Sequence, residues 1–433
     1  MADERFRVSP FPPLTLTEAT RVQLLQLAQR LIRASFDRNE AFVRPSAAQR
    51  RAVDTREWKL LKQRERLQVF GKRPPDGRAF PMGNAVDQLP TFLAVGGIDG
   101  TLDDLMLGLV APTPEDMRVK AAYVHDFSGA AVLSSLVAPS ADDPFLSCVV
   151  KWMELDFPLS ATGVIQNRDY VFLEATGFME LPGGDRVGYH LVHSVDFAEL
   201  PSLPGRVRGE VAVSGLFRQG DVPGELRVVK SGLLDPRGDW IRVMAVPAMA
   251  AALLSPLEYV HCGQMRKLAW RVERHYADKD ATRDRNENAR VSRRRRGSLS
   301  QTASHSSSAA SASSASASSV DSDDDDVCES CERPRRHGLL GLGGKRHKTR
   351  DQCKLCHSAL CSSCRVKLSL SFLAIDGELE QRHLAFCPAC VANTAAASAR
   401  DVAVGRIHLE RSERRHTKRV ATRVARETPM STR

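Results

Sequence analysis

At 433 residues the chain is too long for one compact unit, because a domain takes roughly 100 to 200 residues, and roughly two to four parts are expected. A composition of 42% hydrophobic and 26% charged residues is that of a globular protein, and no run of about 18 uncharged apolar residues occurs, which excludes a membrane-spanning helix. The net charge of +10 gathers after residue 280, while residues 1–280 are close to neutral, so no basic nucleic-acid-binding face is expected on the main fold.

The opening Met-Ala-Asp-Glu-Arg-Phe-Arg is no signal-peptide pattern, and the ten cysteines are expected in a reducing cytosol or nucleus, serving metal or catalysis rather than disulfides. Thr15 and Thr17 can cap a first helix, whose apolar positions Val22, Leu24, Leu25, Leu27, Ala28, Leu31 and Ile32 recur at helical spacing. Short strand-like runs follow at Trp58 to Leu61, Leu67 to Phe70 and Phe92 to Val95, then a helix-like stretch from Leu102 to Val110 behind Thr101 and Asp103. Between Ala130 and Val246 six strand candidates succeed one another: Ala130 to Val137, Phe145 to Met153, Asp169 to Thr176, Val187 to Val195, Val207 to Phe217 and Leu226 to Leu234. Pro, Gly and Asp turns, Leu181-Pro182-Gly183-Gly184-Asp185 among them, separate these strands and predict an antiparallel sheet. The last element, Ala248 to Arg274, carries Met249, Leu253, Leu257, Val260, Gln264 and Leu268 at steps of three and four, and reads as a long amphipathic helix lying on that sheet. The fold class is α+β, with either a ligand cavity or a filled core between sheet and helix.

Catalytic constellations are not evident in this region. His190 and His193 are three apart on one strand and face opposite ways. Cys148 and Cys262 sit in apolar company as inert buried thiols, and Ser160, Ser194 and Ser214 lack a nucleophile-elbow Gly-x-Ser-x-Gly.

Two stretches carry a resemblance. Asn167-Arg168-Asp169-Tyr170-Val171-Phe172 resembles the Arg-Asp-aromatic motif of lipid-transfer domains related to the steroidogenic acute regulatory protein (START domains), and Asp235-Pro236-Arg237-Gly238-Asp239-Trp240, ahead of Val246-Pro247, resembles that family's turn into its C-terminal helix. The order of elements agrees from Leu14 to Tyr276. The resemblance implies a helix-grip fold over residues 1–280 that encloses one lipid or sterol, with the C-terminal helix as a lid and no catalytic machinery. Arg168 and Asp169 then either meet a polar head in the lipid cavity or pair with a neighbouring loop at an exposed strand start.

From Ala281 the large apolar residues disappear. Arg293 to Arg296, a Ser/Ala tract from Ser298 to Ser319 and an acidic run from Asp321 to Asp326 make residues 281–327 an expected disordered linker. Ser298 follows Arg295-Arg296-Gly297 as a basophilic kinase site, and no aromatic residues interleave the Arg run to stack bases.

Eight of the ten cysteines then form four Cys-x-x-Cys pairs, Cys328/Cys331, Cys353/Cys356, Cys361/Cys364 and Cys387/Cys390. The two-residue gap turns both thiolates of a pair onto one ion, and a tetrahedral zinc needs two pairs, so four pairs make two closed, structural Zn2+ sites. Spacing leaves three assignments open. Gaps of 21, 4 and 22 residues resemble FYVE-type fingers, which implies interleaved cross-brace ligands over residues 328–391. On that resemblance Cys328, Cys331, Cys361 and Cys364 hold one zinc and Cys353, Cys356, Cys387 and Cys390 the other. A RING ubiquitin-ligase finger shares the interleaving but uses a His ligand, and taking His357 would leave Cys356 idle.

FYVE fingers bind phosphatidylinositol 3-phosphate through an Arg-Arg/Lys-His-His-Cys-Arg strand, a Trp-x-x-Asp and an Arg-Val-Cys. Here Thr349-Arg350-Asp351-Gln352-Cys353-Lys354 keeps Arg350 and Lys354 but has no His and gains Asp351, and the other two motifs are missing. Phosphate donors are lost and a repelling charge is added, so 3-phosphate specificity does not follow. Leu339, Leu340 and Leu342 beside Lys345, Arg346, Lys348 and Arg350 offer an apolar tip with clustered cations, which suits an anionic membrane as well as a solvated glycine loop. Residues 392–433 read as a basic, mostly unpacked tail.

The expectation is a non-catalytic, cytoplasmic protein, peripheral at endosomal membranes, that binds a lipid or sterol and uses a two-zinc finger for membrane or protein contact. The alternative is a protein-interaction adaptor or RING-like ligase with no transferable lipid.

Overall fold

The first three helices of this chain start at threonine hydroxyls. Thr17 accepts from Thr20 N at 3.1 Å and opens α1 (Glu18–Asn39), and Thr101 and Thr113 do the same for α2 (Leu102–Leu109) and α3 (Pro114–Ala121), each satisfying a donor that the first turn leaves orphaned. The computed structural model describes residues 9–44, 46–74, 89–124, 129–155, 166–182, 184–237, 239–298, 327–333, 352–374 and 377–412. They divide into two compact units that interleave in sequence: residues 1–266, 371–380 and 398–433 form the first, and residues 267–370 and 381–397 the second.

The first unit holds the ten-stranded sheet. Its strands are β1 (Trp58–Arg64), β2 (Leu67–Lys72), β3 (Thr91–Asp99), β4 (Gly129–Val137), β5 (Ser147–Leu155), β6 (Asn167–Glu180), β7 (Arg186–Ser194), β8 (Arg206–Arg208), β9 (Glu210–Gln219) and β10 (Glu225–Asp235). The order is β1-β2-β3-β10-β9-β7-β6-β5-β4, with β8 pairing β6 in parallel, and the expected α+β architecture with a large antiparallel sheet is what the chain forms.

Side chains alternate across a strand, so the sheet has two different faces. Cys148, Val150 and Trp152 of β5, Val171, Leu173 and Ala175 of β6 and Leu191 of β7 pack with Leu24 and Ala28 of α1 in one apolar cluster. The opposite face presents Gly188 to Leu102 and Met106 of α2, His190 to Tyr259, and Lys230 to Ser255.

Past the sheet the structure corrects three expectations. The single helix expected over Ala248 to Arg274 is two, α4 (Asp239–Ala252) and α5 (Pro256–Ser298). Pro256 has no N–H to continue a helix and fits best in a first turn, where it opens α5, while Pro247 lies inside α4. Residues 281–298, expected as linker, continue α5, since Ala, Arg, Glu and Asn residues there carry no internal proline and strong helix formers dominate. Residues 399–412 of the expected tail form a helix, α7, which buries Ala399, Val402 and Ala403 and whose Arg400 donates to Asp142 O at 2.8 Å. Its small apolar residues recur at helical spacing, which is enough for packing even in a basic segment. Among the described residues no helix is long and apolar enough to cross a membrane.

The cysteine region contributes β11 (Val366–Leu373) and β12 (Leu379–Phe386), paired as a hairpin, and α6 (Pro388–Ala395). The hairpin tip, residues 371–380, belongs to the first unit, where Ser371 N donates to Tyr123 Oη at 2.7 Å.

Candidate functional site

The cysteine pairs are shaped one by one by their local backbone. At the first, Glu332 N donates to Cys328 O at 2.7 Å, and at the second His357 N donates to Cys353 O at 3.0 Å. The residue after each pair turns left-handed, Glu332 at φ 56° and His357 at φ 64°. At the fourth pair Cys387 caps α6 and accepts from Cys390 N at 3.3 Å. Tight turns of this kind bring the second thiol back beside the first.

Tertiary structure then joins pairs that are remote in sequence. Cys328, Cys331, Cys361 and Cys364 form one group, and Cys353, Cys356, Cys387 and Cys390 the other, with the sulfurs of each group all within 4.8 Å of one another. All ten cysteines are free thiols. Cys331 Sγ and Cys361 Sγ are 3.8 Å apart, and Cys356 Sγ and Cys387 Sγ 3.7 Å. A tetrahedron with metal–sulfur bonds of about 2.3 Å has edges of about 3.8 Å. The donor sets therefore fit a four-sulfur metal site twice over, in the interleaved pairing.

Thiol acidity differs within each group. Burial opposes ionisation of Cys328, but backbone N–H groups of Cys361, Ser330 and Cys331 bring it down to about 6. Cys364 is pushed up to about 12 by the neighbouring thiols of Cys331 and Cys361. A dication between the four sulfurs would favour the thiolate at every position. His357, which a RING-type ligand set would need, lies outside both groups, and its ring meets His275 Nε2 at 3.1 Å.

Of the expected membrane contacts, Leu339, Leu340, Leu342, Lys345, Arg346, Lys348 and Arg350 lie outside the described residues. Lys354 is described, and its N–H donates to Ala385 O at 2.9 Å.

Arg168 and Asp169 have different work from the head-group contact weighed above. Asp169, fully buried, accepts from Trp152 Nε1 at 2.9 Å and from Arg208 Nη2 at 2.9 Å on the α1 side of the sheet. Arg168 donates to Pro236 O at 3.0 Å and to Gln166 O, fastening the turn that leads out of β10. Neither is an exposed strand start, because the sheet needs the charges paired once they are buried.

The site that sequence reasoning missed lies on the face beneath α5. Lys151 Nζ pairs with Glu174 and donates to Ala111 O at 2.7 Å, and His190 Nε2 meets Glu174 Oε1 at 2.9 Å. All three side chains are at least nine-tenths buried. Burial disfavours the charged Glu174, but Lys151, the His190 hydrogen bond and Lys120 outweigh it and hold the carboxyl well below the usual range. Burial lowers His190, which Glu174 opposes only in part, so the imidazole is neutral. With a carboxylate acceptor at Nε2 the proton sits there, leaving Nδ1 as an acceptor. Nδ1 is buried and has no hydrogen-bond partner among the described residues. Lys151 and Glu174 were visible as charges interrupting apolar strands, Cys-Val-Val-Lys-Trp and Val-Phe-Leu-Glu-Ala.

No family model matches the chain, and no curated protein does. Among solved structures, human StAR-related lipid transfer protein 5 aligns at 14% identity over 56% of this chain and 98% of its own, with a TM-score of 0.38. The lipid transfer and protein localization domain of human StarD13 aligns at 16% over 57% and 98%, with a TM-score of 0.33. A STAR-related lipid transfer protein fragment from Xanthomonas axonopodis aligns at 16% over 48% and 98%, with a TM-score of 0.34. At these values the likeness names neither a ligand nor an activity for this chain.

Proposed function

We propose that this chain is a non-catalytic lipid-binding protein, taking a single lipid or sterol at the sheet face beneath α5 as the START resemblance implies. The observation that carries the proposal is His190 Nδ1, a buried acceptor without a partner among the described residues, set beside the Lys151–Glu174 pair. A buried acceptor left unmet costs stability, on the order of 1–3 kcal/mol. The hydroxyl or polar end of an otherwise apolar ligand supplies the missing donor. The same chemistry argues for binding rather than catalysis. A carboxylate held this strongly ionised is a weak general base, and burial raises the thiols of Cys148 and Cys262 to about 12 and about 11, far from reactive.

The eight-cysteine module holds two zinc ions in this proposal, as a FYVE-like finger that contacts an anionic membrane or a protein partner. The Leu339–Leu342 tip and the cations Lys345, Arg346, Lys348 and Arg350 support membrane contact by composition alone. Specific recognition of a 3-phosphate forms no part of it. A cytoplasmic protein, peripheral at endosomal membranes, follows from the same reading.

Mass spectrometry of lipids extracted from the purified chain tests the first part. One exchangeable lipid class is expected, with its yield reduced in His190→Phe. Protein that carries none and takes up none would overturn the proposal. For the finger, sedimentation with anionic vesicles is expected to be salt-sensitive and weakened by Lys345→Glu/Arg346→Glu, and unchanged sedimentation would place the contact elsewhere.

A further inference from the structure

On the α1 side of the sheet, apart from Asp169 and Arg208, the apolar alternation is broken where α1 ends. Ser214 of β9 stands directly opposite Ser231 of β10 in the ladder, and His193 of β7 opposite Ala212 of β9. Ser35 and Asn39 of α1, one turn apart and buried to 6% and 3% exposure, come down onto them. Ser35 Oγ donates to Ser214 Oγ at 2.7 Å and Asn39 Nδ2 to Ser231 Oγ at 2.9 Å. Ser35, Asn39, His193, Ser214 and Ser231 supply the polar lining of one cavity of about 480 Å³, within the range of about 300–1,000 Å³ that small-ligand sites occupy.

These bonds and two longer ones, from Asn39 Nδ2 to Ser35 Oγ and from Ser214 Oγ to Ser231 O, each at 3.5 Å, still use only part of what the floor offers, since a hydroxyl donates once and accepts twice and a carboxamide has two donors and an acceptor. His193 has no hydrogen-bond partner among the described residues, and burial keeps its ring neutral, so it brings one more donor and one more acceptor. Leu31, Phe42, Trp58, Leu93 and Leu191 make an apolar wall. Arg38, Arg51 and Lys72 stand exposed at the rim with no ion pair among the described residues, against one lining acid, Glu57. Arg51 rests over the Phe42 ring at 5.4 Å, poised at the mouth.

We propose that this cavity is a second ligand site, on the opposite face of the sheet from His190, for a single-chain lipid whose anionic head also carries hydrogen-bonding groups, of the lysophosphatidate kind. The rim cations take the phosphate, which stays near water. Ser35, Asn39, Ser214, Ser231 and His193 take the glycerol hydroxyl and ester, and the wall takes the chain. The volume suits one chain rather than two. This assignment does not rest on the function proposed above.

Trp58 provides the readout. Lysophosphatidate with a brominated acyl chain is titrated into the full chain, with brominated oleate and brominated monoacylglycerol in parallel. Expected is saturable quenching that Trp58→Phe largely abolishes while equilibrium dialysis still registers binding. Arg51→Glu/Lys72→Glu, at exposed positions that leave the core alone, is expected to weaken binding about tenfold or more. Oleate, without the hydroxyl, and monoacylglycerol, without the charge, are each expected to bind less tightly. Unsaturable quenching, quenching that persists in Trp58→Phe, equal affinity for the neutral lipid, or an unaffected Arg51→Glu/Lys72→Glu variant would each overturn the assignment.

Discussion

Gly108 of α2 and Gly263 of α5 bring two helix backbones together at one point. A Cβ on Gly108 would stand 1.9 Å from Tyr259 O and 2.7 Å from Gly263 N, and a Cβ on Gly263 would stand 2.0 Å from Asp104 O. Either methyl forces backbone apart, because no flexible side chain is there to give way. The contact also seats α5, and with it Tyr259, beside His190, whose ring centroid is 6.3 Å away. Gly108→Ala and Gly263→Ala are each expected to cost about 2–3 kcal/mol, at the upper end for overpacking, in urea denaturation followed by circular dichroism. Loss below about 0.5 kcal/mol would mean that the helices do not meet through these residues.

Asp169 is the acceptor shared by Trp152 and Arg208. Removing it leaves a buried indole N–H without its acceptor and a largely buried guanidinium without its counter-charge, with only the Leu200 and Pro201 carbonyls to accept from it. Asp169→Ala is expected to destabilise by about 3 kcal/mol, and a double-mutant cycle with Arg208→Ala to show strong coupling. Additive losses would show that the pair acts at a distance only.

Metal analysis is expected to return about two zinc per chain. The interleaved groups make a sharper expectation than the total. Cys331→Ser and Cys361→Ser, 30 residues apart in sequence and 3.8 Å apart in space, are expected to lose the same ion, so the double variant keeps about one zinc. A double variant that keeps none would assign the two cysteines to different sites.

Acid sensitivity follows from the cluster beneath α5. His190 faces Glu174 on β6, Lys120 on α3, Lys230 on β10 and Tyr259 on α5, and its folded pKa lies below the ordinary 6.5 mainly through burial. Below 6.5 the unfolded chain binds the proton that the folded one refuses, so stability falls as pH drops through that range. His193 and His261, lowered for the same reason, act in the same sense. Glu174 adds a later loss: its carboxyl is held below the ordinary 4.5, so its contribution is complete above that value and disappears as pH falls further. Urea midpoints between about pH 7 and about pH 5 are expected to fall in wild type and to fall less in His190→Phe. An identical slope in both would assign the titration to other groups.

Much of this architecture was legible locally. Thr17 and Thr101 announce their helices because a cap involves a residue three positions on, and β4 to β7, β9 and β10 announce themselves because a strand alternates every second residue, whereas the single strand expected over Val207 to Phe217 is split at Gly209 into β8 and β9. The break between α4 and α5 was legible too, at Pro256, but the apolar stripe from Met249 to Leu268 runs across it and masks it. The end of α5 was not, because Arg-rich sequence reads equally as helix or as solvated linker until its backbone is placed.

By itself the sequence determined four cysteine pairs and an antiparallel sheet followed by helical residues, both of which rest on spacings of a few residues. Only the tertiary structure decided which cysteine pairs come together as one donor set, why Arg168 and Asp169 are fasteners, and that Glu174 stands diagonally across the ladder from both Lys151 and His190. Those facts depend on strand register and chain crossings between residues tens of positions apart. No local periodicity encodes them, since a shift of one residue would leave every strand pattern intact and turn the whole cluster to the other face.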